Sequence, residues 1–315
     1  MDYLIVAAAV AIALSIGAND IANAIGTTVG ANILKYRKAT ILAAIAVAVG
    51  ALAQGSSTTS TVGKGIVDIS AIHPTVLGLS ILCAALTVAV ATFYRYPVSA
   101  TQSVVGALSG AGLASGLEIN YGVVADIAVV WIFLPVISAI LSFVSYFIFK
   151  AVFTRVFAKT YFMYEKIIAV LVVVSGVAVA YSLGANNIGI VVGILGVKGA
   201  LETNQWVIVG AAFVAVGALF FSRRVVLTIG KGITTLDPLR AFVSQFSSAV
   251  AVIGCTFIGI PVSLSQAAVG SVIGVGLTKG RRSVKKRFIV TIMLSWILTP
   301  LVSGLLSFGI YHLYM

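Results

Sequence analysis

Charge is what this chain has least of: Asp and Glu number 8 and Lys and Arg 20 among 315 residues, so 9% of the side chains are charged, where soluble domains carry about a quarter. A surface that poor in charge cannot face water on all sides. Hydrophobic residues make up 60% of the chain, and long apolar windows recur at 40–52, 123–149, 166–183 and 288–311 with no soluble-sized polar block between them. A bilayer is the expected solvent, and no separate soluble domain fits. Cysteine is nearly absent; Cys83 and Cys255 both sit in apolar runs, which excludes a disulfide framework or a thiolate metal site. His73 and His312 are solitary and read as ordinary loop or interfacial residues. With no metal-ligand cluster and no nucleophile–base constellation, nothing points to an enzyme. The net charge of +12 would suggest nucleic acid in a soluble protein. Here the basic residues cluster between apolar runs, as topology determinants do, so nucleic-acid binding is not expected. The run 1–16 carries Asp2 in place of a basic leader region and flows into a polar motif, so it is expected as a retained first span.

What the chain does have is an internal duplication. Ser15-Ile-Gly-Ala-Asn-Asp20 recurs as Ser182-Leu-Gly-Ala-Asn-Asn187, and Ala48-Val-Gly-Ala-Leu52 as Ala215-Val-Gly-Ala-Leu219. A Gly-Lys-Gly-Ile follows each, at Gly63–Ile66 and Gly230–Ile233. Pro97-Val-Ser-Ala-Thr-Gln102 recurs as Pro261-Val-Ser-Leu-Ser-Gln266, and Gly106 and Gly110 match Gly270 and Gly274. Trp131, Pro135, Ser138 and Ser142 match Trp296, Pro300, Ser303 and Ser307. The four blocks keep one order and a nearly constant offset, which marks a repeat rather than coincidence.

Each half reads as two spans, an apolar pair interrupted by a Pro-containing break, and a final span. Segments 74–93 and 98–115 flank Arg95-Tyr-Pro97, and 239–257 and 262–278 flank Gly259-Ile-Pro261. Both are joined too tightly for a solvent loop and read as helical hairpins that enter the membrane without crossing it. Each half then crosses an odd number of times, so the second copy is inverted. With the amino terminus outside, Lys35, Arg37, Lys38, Lys150, Arg155, Lys159, Lys166, Arg223, Arg224 and the run 281–287 all fall in the cytoplasm, leaving chiefly Lys64 and Lys198 outside. The expectation is an all-α polytopic membrane protein of two inverted-topology repeats, each with a broken signature helix and a re-entrant hairpin. The first repeat spans 1–149, a cytoplasmic linker 150–165 and the second repeat 166–315, with both termini extracytoplasmic. Such repeats give the two pseudo-symmetric states that alternating access requires.

Two polar constellations sit inside this apolar frame. The block 15–30 interrupts a span with Gly, Asn and Asp. An ionised Asp20 at membrane depth needs a cation, a proton or a polar partner, or else it caps a helix near the interface. Asn19, Asn23, Thr27 and Thr28 surround it with neutral oxygens, and the second copy offers Asn186 and Asn187 with no carboxylate. Hard oxygen ligands suit Na⁺, and the same amides also serve interhelical hydrogen bonding. At the hairpin breaks, Pro97 and Pro261 lie where a helix can begin. Free N–H groups there, with hydroxyls of Ser99, Thr101, Ser103, Ser263 and Ser265 and amides of Gln102 and Gln266, make a cradle for a tetrahedral oxyanion. Arg95 is read as snorkelling, since Gly259 replaces it in the other copy. The Ser- and Thr-rich stretch 54–61 lines an external vestibule or is a plain loop.

On Gly17-Ala-Asn-Asp-Ile-Ala-Asn-Ala24 with Gly26 and Thr27, on Gly184-Ala-Asn-Asn187, and on the two Pro-Val-Ser hairpins, the chain resembles the inorganic phosphate transporter (PiT) family, which includes sodium–phosphate symporters. The likeness covers nearly the whole sequence. It implies secondary transport of orthophosphate across the plasma (inner) membrane, with Na⁺ as coupling ion and no other cofactor. It places substrate on Asn19, Asp20, Asn23, Ser99, Thr101, Gln102, Ser103, Asn186, Asn187, Ser263, Ser265 and Gln266. Sodium falls to Asp20, Asn23, Thr27 and Asn187. The family's carboxylate maps onto Asp20, whereas Asn187 stands where Asp is usual, and Gln102 and Gln266 stand where many members have His. A proton-coupled phosphate permease, a sulfate permease and an anion channel are the alternatives. The Trp131 and Trp296 spans are expected to form a scaffold and a homodimer interface.

Overall fold

The computed structural model describes residues 3–54, 65–157, 160–189, 191, 203–257 and 262–314. Among them every regular element is helical: α1 (Tyr3–Asn19), α2 (Ile21–Gly30), α3 (Tyr36–Gln54), α4 (Pro74–Phe93), α5 (Ala100–Ala114), α6 (Tyr121–Val156), α7 (Tyr161–Leu183), α8 (Thr203–Phe221), α9 (Arg223–Lys231), α10 (Pro238–Phe257), α11 (Leu264–Leu277) and α12 (Lys286–Tyr314). Seven described helices are long and apolar enough to cross a membrane, and an eighth forms if the bent pair α8 and α9 is one span. The chain is an integral membrane protein. Pro261, Lys64, Lys159 and Lys198 lie outside the described residues, as does 55–61 of the Ser- and Thr-rich stretch.

The duplication seen in the sequence reappears in the packing. α1 packs on α4 as α7 packs on α10, and α4 on α5 as α10 on α11. Between the copies, α1 meets α8 as α7 meets α3, while α12 lies on α5 and α4 as α6 lies on α11 and α10. The closing helix of each copy therefore supports the hairpin of the other, and the copies interlock.

The matched prolines and glycines explain how. Pro cannot donate to the helix ladder, so Pro135 and Pro300 loosen α6 and α12 without ending them. A Cβ at Gly106 would run into the Pro300 carbonyl, and one at Gly270 into the Pro135 carbonyl. Only glycine lets the hairpin arms come that close. Ser303 Oγ donates to Ser103 O at 2.7 Å and Ser142 Oγ to Ser271 O at 2.8 Å, fixing both crossings. The outer faces of α6 and α12 carry exposed Ile132, Phe133, Ile137, Ile297, Leu298 and Leu301, the surface a bilayer covers.

Within 150–165, the span read from the sequence as a linker, α6 continues to Val156 and α7 begins at Tyr161. Ring contacts among Phe149, Phe153, Phe157, Tyr164 and Phe242 give both helix ends an aromatic partner and hold them helical beyond the apolar windows.

Candidate functional site

Each hairpin turns back through a serine cap. Ser99 and Ser263 are extended, and their Oγ atoms accept from the N–H of Gln102 at 3.3 Å and of Gln266 at 3.2 Å. The helices thus begin three residues after each proline, not at it, and the two serines serve first as caps. Arg95 takes φ 68° in the preceding turn and is exposed, away from the buried groups. The tips touch each other. Ser265 Oγ donates to Val98 O at 2.6 Å, and its repeat mate Thr101 Oγ1 donates to Val262 O at 3.3 Å.

The signature segments clasp these tips. Asn19 Nδ2 donates to Tyr96 O at 3.0 Å and Thr92 Oγ1 at 2.8 Å, while its Oδ1 accepts from the Val98 N–H at 3.0 Å. Asn186 does the same in the second copy: Nδ2 donates to Val262 O at 2.7 Å, and Oδ1 accepts from the Val262 N–H at 3.3 Å. Both side chains spend most of their hydrogen bonds on hairpin backbone, so they position the tips, and Asn186 Nδ2 also reaches Asn187 Oδ1. The interruption of the first signature span is slight. Asp20 keeps helical angles, and Asn23 N–H bonds to Asp20 O at 3.0 Å, a one-residue tightening. The second copy widens instead, into a π-turn over Gly184–Ile188.

At the centre, Asp20 and Asn187 meet. Asn187 Nδ2 donates to Asp20 Oδ2 at 2.7 Å, and Ser265 Oγ lies 3.4 Å from Asp20 Oδ1. Asn187 Oδ1 receives Asn186 Nδ2 at 2.7 Å and Thr101 Oγ1 at 3.3 Å. Asn23 Nδ2 donates to Ser265 Oγ at 2.8 Å. Asp20 is the one charged side chain among the buried described residues. Four buried oxygens nearby have no hydrogen-bond partner among the described residues: Asn23 Oδ1, Thr27 Oγ1, Gln102 Oε1 and Gln266 Oε1. Buried polar atoms are usually paired, and unpaired ones also occur away from this cluster, at Ser109, Ser138, Ser247 and Ser248 among others. Amide and hydroxyl oxygens ligate a cation, and a glutamine amide turned over presents N–H to an anion.

Of the residues expected at the site, Asp20, Asn23, Thr101, Asn187 and Ser265 come together directly, with Gln102, Gln266 and Thr27 carrying unpaired oxygens. Ser103 points elsewhere, its hydroxyl donating to Ala84 O at 2.9 Å inside its own hairpin. Gln245 went unnoticed in the sequence. Its Nε2 donates to Ala24 O at 2.8 Å and Thr28 Oγ1 at 2.7 Å, and its Oε1 accepts from Ser175 Oγ at 2.9 Å, tying α10 to α2 and α7. A glutamine among Ser244, Ser247 and Ser248 inside an apolar helix was the available signal. Its repeat mate is Ile81, so comparison of the copies passed over it.

A cavity of about 700 Å³ between α1, α4 and the α8–α9 elbow has Ser15, Ala18 and Thr92 in its wall and Phe93, Arg223 and Arg224 beside them. Thr92 is the residue bonded to Asn19, so this cavity reaches the segment that holds the first hairpin tip.

A model of the phosphate transporter family matches residues 16–307. A putative phosphate permease of Pyrococcus abyssi is 31% identical, covering 96% of this chain and 95% of that protein. A sulfate permease of Bacillus subtilis is 32% identical, covering 96% of this chain and 85% of its own length. Among solved structures, a sodium-dependent phosphate transporter superposes with a TM-score of 0.85 at 24% identity, covering 99% of this chain and 98% of that one. At that identity the likeness is one of fold.

Proposed function

Because the chain belongs to the phosphate transporter family, we propose that it is a secondary active transporter that moves inorganic phosphate across the plasma membrane by sodium-coupled symport. The observation that carries this reading is Asp20, the one buried carboxylate among the described residues, held by Asn187 and Ser265 beside the two capped hairpin tips. A cation on Asp20, with Asn23 and Thr27 supplying neutral oxygens, removes the negative charge that would repel a phosphate dianion; the Asn187 oxygen, expected from the sequence as a further ligand, is already engaged by Asn186 and Thr101. The dianion then sits between the tips, where Gln102, Gln266, Thr101, Ser265 and the capping hydroxyls of Ser99 and Ser263 offer donors. Asn19 and Asn186 hold the tips to the signature segments, so cation binding is felt at the anion cradle. The cavity beside Arg223 and Arg224 is the access path on the basic, cytoplasmic face, where the two guanidinium groups attract anions. Both termini lie on the opposite face in this reading, and the exposed Lys35, Arg37, Lys38, Arg281, Arg282 and Arg287 support that orientation.

Uptake of labelled phosphate into proteoliposomes with and without an inward Na⁺ gradient tests the proposal. Concentrative uptake should appear with the gradient and vanish without it. Equal uptake in both refutes sodium coupling, and a proton gradient substituting for sodium would place the chain among proton-coupled permeases. Sulfate is the second substrate reading, favoured by the likeness to the Bacillus subtilis sulfate permease. Unlabelled sulfate that suppresses phosphate uptake as effectively as unlabelled phosphate would establish it.

A further inference from the structure

The repeat places Asn187 at the position that Asp20 holds in the first copy, and the fold sets the two side chains face to face. Both are buried, at 1% and 2% exposure, and the Asn187 Nδ2 to Asp20 Oδ2 distance is 2.7 Å. The amide has one workable orientation. Its oxygen receives Asn186 Nδ2 at 2.7 Å and Thr101 Oγ1 at 3.3 Å, so its N–H must point at the carboxylate. Ser265 is the weaker partner of Asp20: it stands 3.4 Å away, while its shorter contact, 2.6 Å, is to Val98 O. A cation coordinated by Asp20 Oδ2 needs the lone pairs the amide N–H now occupies, so cation and amide compete for one oxygen.

That competition has a consequence for the transport cycle. An ion-coupled carrier must reorient without its cargo once substrate and ion have left. A lone carboxylate in the membrane interior opposes that step, because the charged group is neither hydrated nor paired. Resting on the coupled-transport reading above, we propose that the Asn187 amide stands in for the coupling cation on Asp20 and thereby supports the cation-free return of the carrier. One carboxylate facing one amide also sets the site to a single cation on Asp20; a carboxylate at 187 would bring two acceptors together and call for a second cation between them.

Two flux modes separate this step from the rest. Exchange of labelled against unlabelled phosphate, with equal Na⁺ and phosphate on both sides of the proteoliposome, uses only the loaded carrier. Net uptake driven by a Na⁺ gradient also needs the cation-free return. In N187A the ratio of net uptake to exchange should fall at least tenfold relative to the unaltered protein, whatever happens to each rate alone. In N187D the ratio should fall as well, and the Na⁺ dependence of net uptake should steepen by about one in Hill slope. N187S is the reserve variant if N187A is not monodisperse after purification. A ratio unchanged within twofold, or both modes falling in equal proportion in the monodisperse variant, overturns the inference while leaving the transport reading intact. Absence of both modes in the unaltered protein would instead defeat the transport reading itself.

Discussion

Replacing Asp20 with asparagine keeps the shape of the side chain and removes its charge, and the surrounding hydrogen bonds say what should follow. Asp20 Oδ2 accepts from Asn187 at 2.7 Å, while Oδ1 faces Ser265 Oγ at 3.4 Å, whose own proton is directed at Val98 O, 2.6 Å away. An asparagine oriented with its oxygen toward Asn187 keeps that bond and turns its amide nitrogen toward the Ser265 oxygen, while the Ala100 backbone N–H, which also donates to Asp20, keeps a partner only at the remaining oxygen. The fold therefore keeps its shortest hydrogen bond at this position and sheds a membrane-buried charge whose cost at a helix centre is about 3 kcal/mol on insertion scales. The thermal midpoint of the purified variant should equal or exceed that of the unaltered protein. Cation binding is different. Two unit charges 4 Å apart attract by about 4 kcal/mol at an effective dielectric of about 20. At about 1.4 kcal/mol per factor of ten, half-saturating Na⁺ should rise roughly a thousandfold, beyond any usable concentration. The assay is a Na⁺ titration of labelled phosphate uptake in proteoliposomes, with the melting midpoint measured on the same preparation. Uptake by Asp20→Asn with ordinary Na⁺ dependence would refute the role of the carboxylate. A collapse of the midpoint would also refute it, since that would make Asp20 a structural partner.

Gln245→Ala removes three hydrogen bonds that join α10 to α2 and α7; with Thr28 and Ser175 buried, stability should drop by about 1–3 kcal/mol, read as a lowered thermal midpoint, and an unchanged midpoint would show the contacts to be incidental. Gly270→Ala drives a Cβ into the Pro135 carbonyl, so it should destabilise by about 1–3 kcal/mol through overpacking, whereas the same change at Gly254, inside α10 where a Cβ meets nothing within 4 Å, should hold or raise the midpoint. Single cysteines placed at Lys35 and at Arg282 should both react with a membrane-impermeant thiol reagent from the same side of oriented vesicles; labelling from opposite sides would defeat the inverted arrangement of the copies.

Much of this architecture was legible in the sequence because the duplication made each weak signal testable against its copy. A single Pro-Val-Ser says little, but the pair at 97–99 and 261–263 marked both hairpins, and α4, α5, α10 and α11 begin and end within a residue or two of the segments they delimit. The matched Pro135 and Pro300 opposite Gly270 and Gly106 were visible as letters, though not as a contact, because which copy's glycine meets which copy's proline is a fact of tertiary packing. The central cluster was readable as residue types. Its division of labour was not: Asn19 and Asn186 look as ligand-like as Asn23, and only the backbone of Tyr96, Val98 and Val262 shows that they are already engaged. Gln245 lacks any such support in the sequence, since Ile81 stands at the matching place in the first copy.

The hydrogen bonds at the centre fall into two sets, and the division indicates which contacts an alternating-access movement has to break. Within the first copy Asn19 binds Tyr96, Val98 and Thr92, and within the second Asn186 binds Val262 and Asn187. These lock each hairpin tip to its own signature segment with side-chain amides that carry two or more bonds apiece, so on the alternating-access reading each tip and segment would move as one body. Across the copies run Ser265 to Val98 and Asp20, Asn23 to Ser265, Thr101 to Val262 and Asn187, and Asn187 to Asp20. Most of these involve a hydroxyl, which can rotate to another acceptor at little cost, and their partners are the same groups that a cation or an oxyanion would engage. Ligand binding and separation of the two bodies therefore draw on one set of donors and acceptors. On the alternating-access reading proposed above, ligands would contest these central cross-copy bonds, while the Ser303–Ser103 and Ser142–Ser271 bonds and the Gln245 contacts would continue to join the copies.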